Sequence, residues 1–198
     1  MRKIMAVLPF VFVLVLAVGC AKPPQDSISA AMSAMDAAKP LASEYAADSL
    51  RAVEDAKAAL DVELKAQEDK FALFRSYKKT DELVADLKAK ADKAAADAAA
   101  GKEQAKNDAT TAITDATTAL NDAKAMLDKA PKGKGTQADL EAMKADLTAA
   151  ESTINDANAA MSSESYKDAK AKADAAKASA ANVSSQVQAA IDAKLGKK

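Results

Sequence analysis

The chain has 198 residues, 53 of them alanine, with no histidine, no tryptophan and one cysteine. Lys+Arg is 28 against Asp+Glu 29, a formal charge of −1, which excludes a strongly basic nucleic-acid binder and a strongly acidic tail protein. Without histidine the commonest general base and transition-metal ligand is gone, and one cysteine forms no internal disulfide. Alanine, lysine, aspartate and glutamate in this excess, with few β-branched or aromatic residues, favour long helices.

The first twenty residues read as an address. Arg2 and Lys3 precede an uncharged, almost wholly apolar stretch of fifteen residues, Ile4 to Val18. That is short for a membrane-spanning helix, which needs about 17–25 residues, and it suits the apolar centre of a secretory signal. Its end, Leu16-Ala17-Val18-Gly19-Cys20, resembles the bacterial lipobox, with Ala17 where that family usually carries leucine. The resemblance implies lipidation of the Cys20 thiol, cleavage before it and acylation of the new amino terminus. On the residues alone, ordinary signal cleavage beside an incidental cysteine and an uncleaved anchor are the alternatives. Several acyl chains together hold a protein stably, at about 0.8 kcal/mol per buried CH₂. Removal of residues 1–19 takes Arg2 and Lys3 and leaves 26 bases against 29 acids, a charge of −3. Ala21, where enteric-type sorting would use aspartate to retain a lipoprotein in the inner membrane, points to the outer membrane, facing the periplasm.

Lys22 to Gln25 holds Pro23-Pro24, a short extended tether. A first helix is expected from a cap at Asp26 or Ser27, with Ile28, Ala31, Met35 and Ala38 on one face and Pro40 ending it. A second starts near Ser43 and runs to about Arg75 along Leu50, Val53, Ala56, Leu60, Leu64, Gln67, Phe71 and Phe74, three or four residues apart, with Gln67 the polar intruder. A turn from Ser76 to Thr80 follows, with Thr80 as N-cap of the next helix. That third helix runs to about Lys129, roughly 75 Å at 1.5 Å per residue. Its seams, Val84, Leu87, Ala91, Ala94 and Ala98, then Ala109, Ile113, Ala116, Leu120, Ala123 and Leu127, do not join in strict heptads, so a phase shift or mild kink is expected near Gly101.

Pro131-Lys132-Gly133-Lys134-Gly135 is the clearest break. The fourth helix opens near Thr136 and closes near Met161, with a face of Leu140, Met143, Leu147, Ala150, Ile154, Ala157 and Met161. The fifth, with Ser165 and Asp168 spaced as a capping-box variant, carries Tyr166, Ala169, Ala173, Ala176, Ala180, Val183, Val187 and Ala190 and ends at Gly196. Ser76-Tyr77-Lys78 recurs as Ser165-Tyr166-Lys167 at an offset of 89, and Leu50, Val53 and Leu64 match Leu140, Met143 and Ile154 at 90. The expected fold is all-α: an elongated, coiled-coil-like antiparallel bundle of about five helices, in two helical-hairpin units sharing a long central helix. The expected organisation is 1–19 signal peptide, 20–25 acylated cysteine and tether, 26–130 first unit, 131–136 linker and 137–198 second unit.

Ala30-Ala31, Ala34, Ala37-Ala38, Pro40, Tyr45-Ala46, Leu50, Ala52, Ala56 and Leu60 resemble a family of alanine-rich helical domains of unknown function, common in bacterial envelope lipoproteins. Tyr77 and the alanines after it are similar to that family's Tyr-led third helix. The resemblance spans about residues 26 to 105, with the last two helices as a partial second copy. It implies an envelope helical module and no known activity.

Gly133-Lys134-Gly135-Thr136 lacks the upstream glycine and preceding strand of a phosphate loop and reads as linker plus N-cap. The Asp-Ala-Lys steps read as solvated faces with charge pairs rather than metal ligands. Phe71, Phe74 and Tyr77 cluster between the second and third helices, where core packing at the bundle tip is expected and a docking patch is the alternative. Gln67 is expected to tune register or pairing. Leu195-Gly196-Lys197-Lys198 resembles the end of Braun's lipoprotein, an acylated helical rod whose C-terminal lysine joins peptidoglycan, though without its Tyr-Arg-Lys ending. Lys198 is thus a candidate attachment point, with helix-dipole complementation as the alternative. No nucleophile–base set exists once Cys20 is acylated. The expectation is a non-enzymatic lipoprotein, a spacer, tether or docking rod in the periplasm, without cofactor, metal or nucleic acid. Its partners would be the membrane through its lipid, and a protein or the cell wall. The alternative is a periplasmic binder of an apolar or lipid ligand.

Overall fold

The computed structural model describes residues 22–131, 137–194 and 196. They form five α-helices and one short 3₁₀ turn: α1 (Gln25–Tyr45), α2 (Ala47–Glu68), the 3₁₀ turn Ala72–Phe74, α3 (Lys78–Asp128), α4 (Gln137–Ser162) and α5 (Tyr166–Lys194). No strand occurs among the described residues, and the fold is an all-α bundle. Two compact units divide inside α3, between Ala99 and Ala100. The Gly133–Thr136 motif lies outside the described residues.

In the first unit α1, α2 and the first half of α3 run up, down and up. Lys39 Nζ lies 3.9 Å from Glu54; residues fifteen apart on one continuous helix would stand about 22 Å apart, so the chain reverses between them. The reversal is made at Ala46, whose φ of −147° and ψ of 51° leave the helical region. Contacts from Lys79 to Glu63 and from Ser49 to Asp97 fix α2 antiparallel to α3. In the second unit Lys124 on α3 meets Glu151 on α4 at 2.7 Å. Lys102 meets Glu164, and Asp115 meets Lys177, each pair 62 residues apart, so α5 runs parallel to α3.

The cores follow the apolar spacing. The first holds Ala31, Met35, Ala38 and Ala42 of α1 against Leu50, Val53, Ala56 and Leu60 of α2 and Val84 to Ala98 of α3. The second sets Ala112 to Leu127 of α3 against Met143 to Ala157 of α4 and Ala173 to Val187 of α5. A repeat is visible in burial itself. Tyr77, Thr80, Val84, Leu87, Ala91, Ala94 and Ala98 are buried, and so are Tyr166, Ala169, Ala173, Ala176, Ala180, Val183 and Val187, each 89 residues further on. The preceding helices align differently from the expected 90: Val53, Ala56, Leu60 and Glu63 match Leu147, Ala150, Ile154 and Ala157 at 94. The first unit therefore has five more residues between these faces. They sit in the connection, Asp69–Ser76 before Tyr77 in the first unit against Ser163–Ser165 before Tyr166 in the second.

Several boundaries depart from the sequence expectation. Pro40 does not end α1, which continues to Tyr45. Proline costs the helix one hydrogen bond to the carbonyl four residues back, but buried Ala38 and Ala42 hold the backbone on either side of it. Neither Asp26 nor Ser27 caps α1: Pro24 is the N-cap, its carbonyl accepting from Ile28 N–H at 3.0 Å. α2 begins at Ala47 rather than Ser43 and ends at Glu68 rather than Arg75. Thr80 is not the N-cap of α3 but lies in its first turn, wholly buried. The seam of α3 shifts phase through Ala112, Ala116 and Leu120, where two steps of four replace the alternation of three and four. That is about three turns beyond Gly101. The turn after α4 puts Glu164 at φ 60°; Glu164 N–H donates to Met161 O and Ser165 N–H to Ala160 O, the paired bonds that close a helix through a left-handed residue. Gly196, at φ 66°, is the left-handed residue after α5 and donates to Ala193 O.

Candidate functional site

The α2–α3 connection concentrates the unusual surface of the first unit. After Leu60 the alternation of three and four continues to Glu63 and Gln67, which are both buried, while Leu64 is only half-buried. Two polar side chains can occupy the core face because they satisfy each other. Gln67 Nε2 donates to Glu63 Oε1 at 2.6 Å, Ser76 N–H donates to Gln67 Oε1 at 3.0 Å, and Lys79 Nζ lies 3.0 Å from Glu63 Oε2. Gln67 is thus a pairing residue, tying the end of α2 to the connection. The Gln67 amide first, then Lys79, holds the Glu63 carboxyl below its ordinary range, against the opposing effect of burial. Arg75 fastens the other side: its Nε donates to Lys70 O and its Nη2 to Glu68 O, meeting the carbonyl end of α2.

Between these fastenings the loop turns its apolar side chains outward. Phe71, Leu73 and Phe74 are 69%, 60% and 75% exposed, and Val62 on α2 is 70% exposed. The two phenylalanine rings lie 6.4 Å apart, tilted by 51°. The expectation that Phe71, Phe74 and Tyr77 pack together as a core tip holds only for Tyr77, which is buried at the threshold of α3. Phe71 and Phe74 leave the seam because α2 stops at Glu68, and the helical spacing that would carry them inward stops with it.

Elsewhere the acidic and basic residues behave as solvated faces. Lys57–Asp61, Lys88–Asp92, Lys90–Asp86 and Lys93–Asp97 pair four residues apart, as do Lys170–Asp174 and Lys172–Asp168. Lys93 and Ser49 hold the Asp97 carboxyl below its ordinary value, Lys102 does so for Glu164, and Asp174 raises Lys170. Among the described residues no three Cys, Asp or Glu side chains gather as metal ligands, and no helix is long and apolar enough to cross a membrane. A cleft of about 50 Å³ lies between Pro131, Leu140, Met143 and Val187. Cys20, the Leu16-Ala17-Val18-Gly19 box before it and Lys198 lie outside the described residues. Compared with protein-family models, with curated proteins and with solved structures, the chain matches none.

Proposed function

We propose that the chain is a bacterial envelope lipoprotein of the alanine-rich helical kind, acylated at Cys20 and acting as a non-enzymatic spacer, tether or docking rod facing the periplasm from the outer membrane. The observation that carries this reading is the position of the single cysteine, at the end of a basic-then-apolar leader and two residues before the Lys22–Pro24 tether that enters α1. The bundle fits such a role. In each unit the inward face of α3 is largely alanine, which leaves little room for a ligand.

The test is fractionation of Cys20→Ser. The parent chain partitions with membranes as a shortened form, and the variant accumulates as an uncleaved or soluble precursor. A variant that still partitions with membranes as the shortened mature form overturns the reading. Attachment at Lys198 is tested separately, by muramidase digestion of detergent-boiled cell walls and mass analysis. A peptide ending in Lys198 plus a wall fragment supports it, and complete extraction by hot detergent refutes it.

A further inference from the structure

We infer that the loop Asp69–Tyr77 is a second membrane contact, inserting Phe71, Leu73 and Phe74 into the surface of a bilayer that contains anionic phospholipid. The first argument is position. Lys39 is level with Glu54 on the antiparallel hairpin. Fourteen residues back along α1 and fourteen forward along α2 bring Gln25 level with Glu68. The loop therefore projects from the same end of the first unit as the tether. Cys20 is five residues before Gln25, a reach of at most about 18 Å of extended chain. An anchor at Cys20 holds this end, and no other end of the unit, against the lipid; to that extent the inference rests on the proposed acylation.

The second argument is chemistry. From Lys70 to Lys78 the chain has three bases, Lys70, Arg75 and Lys78, and no acid, with Glu68 and Asp69 just before it and Asp81 and Glu82 shortly after it, while Lys79 is paired with Glu63. Aromatic and leucine side chains flanked by lysine and arginine match the two layers of a bilayer surface, apolar below and anionic above. The third is that the loop is built to stay exposed. The Arg75 bonds to Glu68 O and Lys70 O, and the Ser76 bond to Gln67, pin both its ends, so the apolar side chains cannot fold back without breaking them. The second unit makes the corresponding connection with Ser163–Ser165 alone and carries no such side chains there.

The test places a single tryptophan in the whole chain, which has none. Phe74→Trp is isolated from membranes and reconstituted in vesicles of phosphatidylcholine and phosphatidylglycerol with brominated acyl chains. The expected result is blue-shifted, bromine-quenched emission. Asp48→Trp, exposed at the opposite end of α2, emits as in water and is unquenched. Adding Phe71→Ser and Leu73→Ser weakens the contact about tenfold or more, from the value of burying one such side chain. Replacing phosphatidylglycerol by phosphatidylcholine reduces quenching. Water-like, unquenched emission from Trp at 74 overturns the inference. So does a blue shift that rises with protein concentration without vesicles, which would mean a second copy covers the loop. Intact mass of the same sample reads Cys20 independently. Quenching with an unmodified cysteine supports the loop contact and refutes the anchor; an acylated cysteine with unquenched emission refutes the loop contact alone.

Discussion

Thr80 is the sharpest probe of the core. Its side chain is wholly buried in the first turn of α3, and its Oγ1 has no hydrogen-bond partner. A buried hydroxyl without a partner costs about 1–3 kcal/mol. Thr80→Val keeps the shape, replaces the hydroxyl with a methyl group and leaves helix propensity almost unchanged. The expected gain is about 1–2 kcal/mol, a rise in melting temperature of about 2–8 °C for a chain of this length. Far-UV dichroism melts of parent and variant in one buffer measure it. The 89-residue repeat supplies the reciprocal experiment, because the equivalent position is Ala169, also wholly buried, beside Ala109, Ala160 and Tyr166. Ala169→Thr adds both volume and an orphan hydroxyl and lowers the melting temperature. If Thr80→Val is neutral or destabilising, the hydroxyl has a partner in solution and the reasoning fails.

Pro40→Ala restores the missing donor in α1 and stabilises by about 1–3 kcal/mol, read as a higher urea midpoint; a lower midpoint would mean that the proline shapes the α1–α2 hairpin. Leu147→Asp, at a 2% exposed position, costs about 4 kcal/mol or more by combining a lost core side chain with a buried carboxylate. Exposed Lys144→Asp stays within about 1 kcal/mol, so equal midpoints for the two variants would contradict the assigned core. Acid lability follows from Glu63, whose carboxyl is lowered from 4.5. The folded form binds its proton less readily than the unfolded chain, so its contribution is present above about pH 4.5 and is lost as pH falls through the depressed folded value. Glu63→Gln should flatten that acid limb of the melting curve, and an unchanged limb would exclude Glu63 as its source. Lys170 has the opposite sign: held by Asp174, it contributes below 10.5, and that contribution is lost as pH rises through its raised folded value.

The long faces were legible because their spacing is regular and their neighbours are charged. Val84 to Ala98, Met143 to Ala157 and Tyr166 to Val187 lie buried where the three-and-four pattern puts them. The α2–α3 connection was not legible, since Phe71 and Phe74 prolong the apolar spacing of α2 past its true end. The signal against that reading was strict alternation from Val53, Ala56 and Leu60, which leads to Glu63 and Gln67 and away from Leu64. Leu64, the more hydrophobic neighbour, carries the apolar spacing on towards Phe71, Phe74 and Arg75. The burial of Glu63 depends on Gln67 and Lys79 together, a pairing across two helices that single-chain periodicity does not contain. At Pro40 a local rule lost to packing. At Ala46 the break falls on a residue with no turn signature of its own, so the α1–α2 boundary could only be found from the backbone.

The anchor at Cys20 is the claim on which the functional reading depends most. Intact-mass and N-terminal peptide analysis of the protein taken from bacterial membranes measures it directly. The account predicts a mature chain that begins at Cys20, lacks residues 1–19 and carries acyl groups on both the cysteine sulfur and the new amino terminus. A chain that keeps its leader, or begins elsewhere with a free Cys20 thiol, would contradict it.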